Sequence, residues 1–328
     1  MSDKKRALIL GVGGQDGSYL ADVLLEKGYE VHGLYRRSSL PNLSRIEHTK
    51  DRVTLWQGDI TDYSSVIQCM LACRPQEVYN EADQDHVKWS QVIPNVAWEV
   101  TFKGVINVLE AVTEYQCRVP EEIKLFQPIS ATIFSTEHAP QNEMTSLAPA
   151  SPYAIAKAAA LHACRYYRDQ FSVKVYTGIM YNHDSPRRGP EYLLHRICKA
   201  ACEVGEKKRE YLELYDLDAK VEIGFAKEYM DGAWAMMQTD KPSDYVMSSN
   251  VGKVTYSVHD LALLALRGVV ANPEAYLKEK EGPRSRGAML GNSFAARRAF
   301  GWDPQYTAGR MVHRLMTHYL EQRNGVQP

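Results

Sequence analysis

The order of apolar and polar positions sets out a repeating plan from the first residues. Arg6–Leu10 is a short apolar run that ends in glycines, residues 18–27 carry apolar positions at helical spacing and close at Gly28, and Glu30–Tyr35 is a second apolar run. Strand, glycine turn, helix and strand make one βαβ unit. The alternation continues: Val53–Gln57, Glu77–Asn80 and residues 124–128 and 173–181 read as strands, and Tyr63–Cys73 and residues 100–115 and 152–170 as helices. This spacing predicts an α/β protein with a doubly wound, mostly parallel sheet of the Rossmann type. Beyond about residue 186 the pattern loosens. Residues 193–204 and 258–270 are helical between loops, and the charged stretch 278–286 reads as a surface loop. Residues 1–185 are therefore expected to form the cofactor-binding domain with the catalytic residues. Residues 186–328 are expected to form mainly a smaller substrate-binding lobe, from which strands can return to the sheet.

Composition narrows the class. The chain has 328 residues, 45% hydrophobic and 24% charged, which suffices for a sizeable core. Its formal net charge is −1 with no long run of one sign, so no nucleic acid or membrane surface is expected as a partner held by bulk charge. No apolar stretch is long enough to span a bilayer, and the first residues lack the apolar run and cleavage site of a signal peptide, so a cytoplasmic protein is expected. Cys69 and Cys73, like Cys198 and Cys202, are four apart on a helix face, the spacing of free thiols rather than of a metal or disulfide motif. No His/Cys/Asp cluster has ligand spacing, and no metal is expected.

The first turn carries candidate cofactor chemistry. Gly11, Gly14 and Gly17 follow the first strand and open the first helix, with Gln15 and Asp16 between them. Gly11 permits the tight turn, Gly14 lets backbone amides approach a pyrophosphate, and Gly17 allows close helix–strand packing. After the second strand, where an NAD enzyme usually places an acid, the chain has Arg36 and Arg37. Two guanidiniums suit a 2′-phosphate, so NADP is expected in preference to NAD, which stays open. Asp59 and Ile60, after the third strand, are candidates for the adenine end.

Tyr153 and Lys157 lie one turn apart at the start of a predicted helix, after a strand that carries Ser130. An ammonium beside a phenol stabilises the phenolate, which can take a proton from a sugar hydroxyl while that carbon gives up hydride.

These residues resemble an extended short-chain dehydrogenase/reductase, and the chain is similar to the GDP-mannose 4,6-dehydratase group. The likeness is carried by residues 13–20, 35–39, 45–48, 58–62, 86–88, 151–153 and 182–189, with 217–220 and 226–229 extending it into the second lobe. It implies a nucleotide-sugar substrate, a nicotinamide cofactor reduced and reoxidised within one turnover, and Ser130, Tyr153 and Lys157 as the catalytic trio. It also implies that Asn182 and Arg187 face the sugar nucleotide, and that the protein is a homo-oligomer, dimer or tetramer. Asp85, His86 and Arg196 are further substrate-binding candidates.

The departures matter as much. Thr132 stands where the dehydratases keep the Glu that protonates the departing C6 hydroxyl, and a Thr hydroxyl cannot act as that acid. Ser130-Ala131-Thr132 is instead similar to the segment of UDP-galactose 4-epimerases, which need only oxidation at C4 and hydride return. The family's small-residue turn is Glu81-Ala82-Asp83-Gln84-Asp85 here, Val221 replaces an Arg, and Phe225 a His. The leading expectation is therefore a 4-epimerase acting on a nucleotide-sugar, with GDP the expected nucleotide. The alternatives are a 4,6-dehydratase with a relocated acid, for which Glu137 is one candidate, and a non-catalytic nucleotide-binding relative.

Overall fold

The computed structural model describes residues 4–39, 43–249, 255–282, 284 and 287–323. Six strands succeed one another along the first part of the chain: β1 (Arg6–Leu10), β2 (Glu30–Tyr35), β3 (Val53–Gln57), β4 (Glu77–Asn80), β5 (Lys124–Ser130) and β6 (Lys174–Met180). A seventh, Asp244–Met247, joins from the second half of the chain. All pair in parallel, in the order β3-β2-β1-β4-β5-β6 and then the seventh strand. The order reverses between β1 and β4, so the crevice beyond their carboxyl ends is the topological switch point, where such sheets bind ligands.

Successive strand side chains alternate between faces, and β1 divides two cores. Ala7 and Ile9 pack on one side with the α1 helix (Gln15–Glu26) and the helix Ala226–Met237. Leu8 and Leu10 pack on the other with the helices Tyr63–Cys73, Gly104–Arg118 and Pro152–Phe171. Both faces are buried, which is why the strands read as near-continuous apolar runs.

The α1 helix begins at Gln15, three residues before its amphipathic pattern, because Gly14 already takes the extended N-cap conformation. Ahead of Gly104–Arg118, residues Trp98–Lys103 form a wide π-type turn. The charged stretch predicted as a loop instead contributes the strand Leu277–Lys280, paired in parallel with Leu212–Tyr215; residues 283, 285 and 286 lie outside the described residues. Backbone pairing with a distant segment overrides the polar composition there.

Asp244 ties the seventh strand to the helix Pro152–Phe171, accepting from Arg165 Nε at 2.6 Å, from Arg168 Nη2 at 2.8 Å and from the Thr177 hydroxyl. In the second half the helices Leu193–Gly205, Val258–Arg267 and Ala308–Arg323 pack together. Among the described residues no helix is long and apolar enough to cross a membrane, and no group of His, Cys, Asp and Glu is placed to hold a metal.

Candidate active site

The glycine turn is shaped by steric necessity. Gly11 has φ +83°, and a Cβ there would lie 2.7 Å from the Ala82 nitrogen; a Cβ on Gly17 would lie 2.4 Å from the Gly11 carbonyl oxygen. No side chain caps the N-terminus of α1, so its first-turn amides face the switch-point crevice without a side-chain acceptor. A cradle that any Cβ would fill, beside open helix amides, fits a dinucleotide pyrophosphate. Gln15 and Asp16 occupy that first turn. Gln15 Oε1 accepts from the Ser185 hydroxyl, and Asp16 Oδ2 lies 2.9 Å from His183 Nε2. Burial alone would lower the His183 pKa, but the Asp16 charge and hydrogen bond more than offset it and raise it.

The remaining cofactor candidates are spread along the same edge. Arg36 and Arg37 are exposed just past β2. Asp59 Oδ1 accepts from the Thr61 amide at 2.9 Å and hydroxyl at 2.8 Å, which makes it a turn-capping residue, and Ile60 is buried beneath it. Arg45, outside the candidate set, reaches back over the glycine turn to donate to the Gly13 carbonyl at 3.2 Å.

The catalytic candidates converge at the carboxyl ends of β4 and β5. Ser151 caps the helix Pro152–Phe171 by accepting from the Ala154 amide at 3.1 Å, and Pro152 follows in the first turn, where a proline costs no hydrogen bond. This start fixes Tyr153 and Lys157 on one face. Both are buried, and the Lys157 ammonium lies 5.8 Å from the Tyr153 ring centroid. Ser130 stands close enough to Tyr153 to lower its pKa, and Thr132 Oγ1 donates to Ser130 Oγ at 2.9 Å, so the four residues gather at one place.

The turn after β4 changes the electrostatics of this group. Lys157 Nζ donates to the Pro128 carbonyl at 2.8 Å and forms an ion pair with Asp83 Oδ2 at 2.9 Å. Asp85 accepts from Tyr192 OH at 2.9 Å and pairs with Arg188 Nη2 at 3.1 Å, and Arg188 lies 3.7 Å from the Tyr192 ring centroid. The Tyr153 phenol is pushed well above its ordinary value of 10.0, by burial first and then by Asp83 and Asp85; Ser130 and Arg188 pull the other way. Glu81 is likewise raised well above 4.5 by burial, Asp16 and Asp83, and its Oε1 is buried without a hydrogen-bond partner. These effects favour the protonated carboxyl, against the pull of Lys157.

The substrate candidates divide. His86 caps the helix Val87–Val92 and packs against Tyr192 at 5.6 Å between centroids, beside Asp85. Asn182 and Arg196 are exposed. Arg187 turns onto α1 instead of Tyr153 and Lys157: it donates to Ser18 Oγ at 3.2 Å and Asp22 Oδ2 at 2.8 Å, over the Tyr19 ring. Asp22 supplies the carboxylate that holds it there. The guanidinium on the Tyr153 side belongs to Arg188, within the 182–189 run but outside the substrate-binding candidates. Glu137, the earlier candidate acid, is exposed, and Phe225 is buried against Tyr19 and Tyr306.

A glycine cradle at the switch point together with a linked Ser, Tyr and Lys defines the short-chain dehydrogenase/reductase class. Within it, residues 8–315 match the family model described as GDP-mannose 4,6 dehydratase, and the chain belongs to that family of nucleotide-sugar enzymes. GDP-mannose 4,6 dehydratase 2 of Caenorhabditis elegans is 34% identical over 96% of this chain and 88% of its own length. The fold is similar to UDP-glucose 4-epimerase of Thermotoga maritima, with a TM-score of 0.82 at 18% identity over 97% and 99% of the two chains. It is equally similar to dTDP-glucose 4,6-dehydratase of Bacillus anthracis, with a TM-score of 0.82 at 19% identity over 98% of both.

Proposed function

We propose that this protein is a nucleotide-sugar 4,6-dehydratase that takes a GDP-linked sugar and uses NADP. Dehydration was the alternative expectation from sequence, and the curated relatives at about 34% identity are named for that reaction. The nicotinamide, when bound, accepts a hydride and returns it. Tyr153, as phenolate, takes the proton of the C4 hydroxyl, and Lys157 and Ser130 stabilise its negative charge. Arg36 and Arg37 are the groups that suit a 2′-phosphate.

The observation that carries dehydration over epimerisation is Glu81. Loss of water requires an acid at the departing hydroxyl; Thr132 cannot be one, while half-buried Glu81 has its Oε1 out of contact with solvent and without a hydrogen-bond partner, and burial, Asp16 and Asp83 raise its carboxyl well above the ordinary 4.5 against the pull of Lys157. The epimerase reading keeps one observation of its own. Thr132 donates to Ser130, an arrangement that serves oxidation at C4 and supplies no second acid.

Incubation with GDP-mannose and NADP, followed by NMR of the product, tests the proposal. A 4-keto-6-deoxy sugar is the expected product. A C4 epimer would overturn dehydration in favour of epimerisation. Tyr153→Phe is expected to lower kcat by about a hundredfold or more, the range of a lost general acid–base; unchanged turnover would refute its role.

We also propose that a second copy of the chain is a partner. Trp89 and Val92, 54% and 66% exposed on Val87–Val92, adjoin the helix that exposes Tyr166 and Phe171 at 56% and 45%. Apolar area of this kind on neighbouring helices suits self-association.

A further inference from the structure

Three carboxylates stand on the turn after β4, and one of them is built into the catalytic group itself. Asp83 uses both oxygens. Oδ2 meets Lys157 Nζ at 2.9 Å, while Oδ1 accepts from Thr101 Oγ1 at 2.5 Å and from the Gln84 amide at 2.8 Å. Thr101 is buried and comes from the wide turn Trp98–Lys103, which interrupts the regular helix where its side chain meets the β4 turn. π-type turns of this kind recur at functional sites. The two side chains of the ion pair are 4% and 14% exposed, so little water screens them. Lys157 has three N–H groups. Pro128 and Asp83 take two of them, leaving one to act toward Tyr153 and the crevice.

We propose that Asp83 is a positioning residue of the hydride-transfer site: it fixes Lys157 between its own carboxylate and the Pro128 carbonyl, and so sets how strongly that ammonium acts on Tyr153. This rests on Tyr153 and Lys157 being the hydride-transfer pair. The charged and polar groups facing Tyr153 are Asp83 and Asp85 from the β4 turn, Ser130 from β5, Arg188 from beyond the strand His183–Asp184, and Lys157 from its own helix. Glu81 lies beside Lys157 and Asp83, with Asp16 and His183 beyond it. Ser90, from Val87–Val92, accepts from the Tyr153 amide at 3.2 Å. Among these, only Asp83 touches Lys157 and also acts on the phenol. A carboxylate there offsets the ammonium's field, so Tyr153 holds its proton to higher pH than Lys157 alone would dictate.

The test compares wild type with Asp83→Asn, which keeps shape and removes charge, and with Asp83→Ala, which restores a small residue should the amide disturb folding. Alkaline absorbance titration counts tyrosinates without any substrate. Either folded variant should show one tyrosinate forming at least about one pH unit lower than in wild type, and Tyr153→Phe in the same background should abolish it. With GDP-mannose, the acidic limb of the kcat profile should move down by the same interval, which a merely structural role would not produce. Identical Tyr153 titrations in wild type and variants would overturn the proposal, whether or not the enzyme turns over. A shifted titration with no turnover would leave Asp83 in this role and count against the proposed reaction instead.

Discussion

Glu222 gives the sharpest stability test. Its side chain is buried, and Oε1 accepts from the Ser249 amide at 2.6 Å and Oε2 from the Gly291 amide at 2.9 Å, joining two chain segments. Burial pushes its carboxyl up from an ordinary 4.5 to about 7, against the hydrogen bonds of Gly291, Ser248 and Ser249. Between those two pH values the folded state holds a proton that the unfolded chain has released. The contribution is therefore fully present below about pH 4.5 and is lost as pH rises through 7. At about 1.36 kcal/mol per pH unit, the interval corresponds to about 3 kcal/mol. Glu222→Gln cannot ionise and accepts only one of the two amides, so at acid pH it should be less stable by about 1 kcal/mol. Above pH 7.5 the order should reverse, with the variant ahead by about 2 kcal/mol. Urea unfolding of both proteins from pH 4.5 to 8 measures this difference, and all other titrating groups cancel in it. A difference that stays constant across the range would refute the reasoning.

Other predictions follow from single contacts. Gly17→Ala drives a methyl against the Gly11 carbonyl, which pushes the helix away from the glycine turn, so calorimetric affinity for the nicotinamide dinucleotide should fall at least about tenfold as the cradle for the pyrophosphate is displaced. Lys157→Met strands Asp83 in a largely buried site and should lower unfolding free energy by about 3 kcal/mol, with Asp83→Asn in the same chain restoring most of it; denaturant titration reads both. Trp89→Asp combined with Val92→Asp places charge on the exposed apolar face and should shift the sedimentation coefficient from oligomer to monomer.

The sequence by itself determined the sheet and the local arrangement of the residues on which the proposed chemistry rests. Six of the seven strands read as apolar runs because both faces of the sheet are buried, and period and length told strand from helix without tertiary information. The glycine turn, Ser130, Tyr153 and Lys157 were legible because each depends on local geometry: a positive φ at Gly11, a capped helix start, one helical turn between phenol and ammonium. What only the tertiary structure decided depends on pairs far apart in the chain. Asp244–Met247 joins the sheet because Asp244 finds Arg165 and Arg168 across the fold, and nothing in that short strand announces them. The carboxylates after β4 could be seen, but not their partners. Asp83 meets Lys157 and Thr101, Asp85 meets Arg188, and Glu81 meets no donor at Oε1. Charge acts through space and burial rather than along the chain, so the ionisation of Tyr153 and of Glu81, on which the proposed reaction turns, was set by the fold.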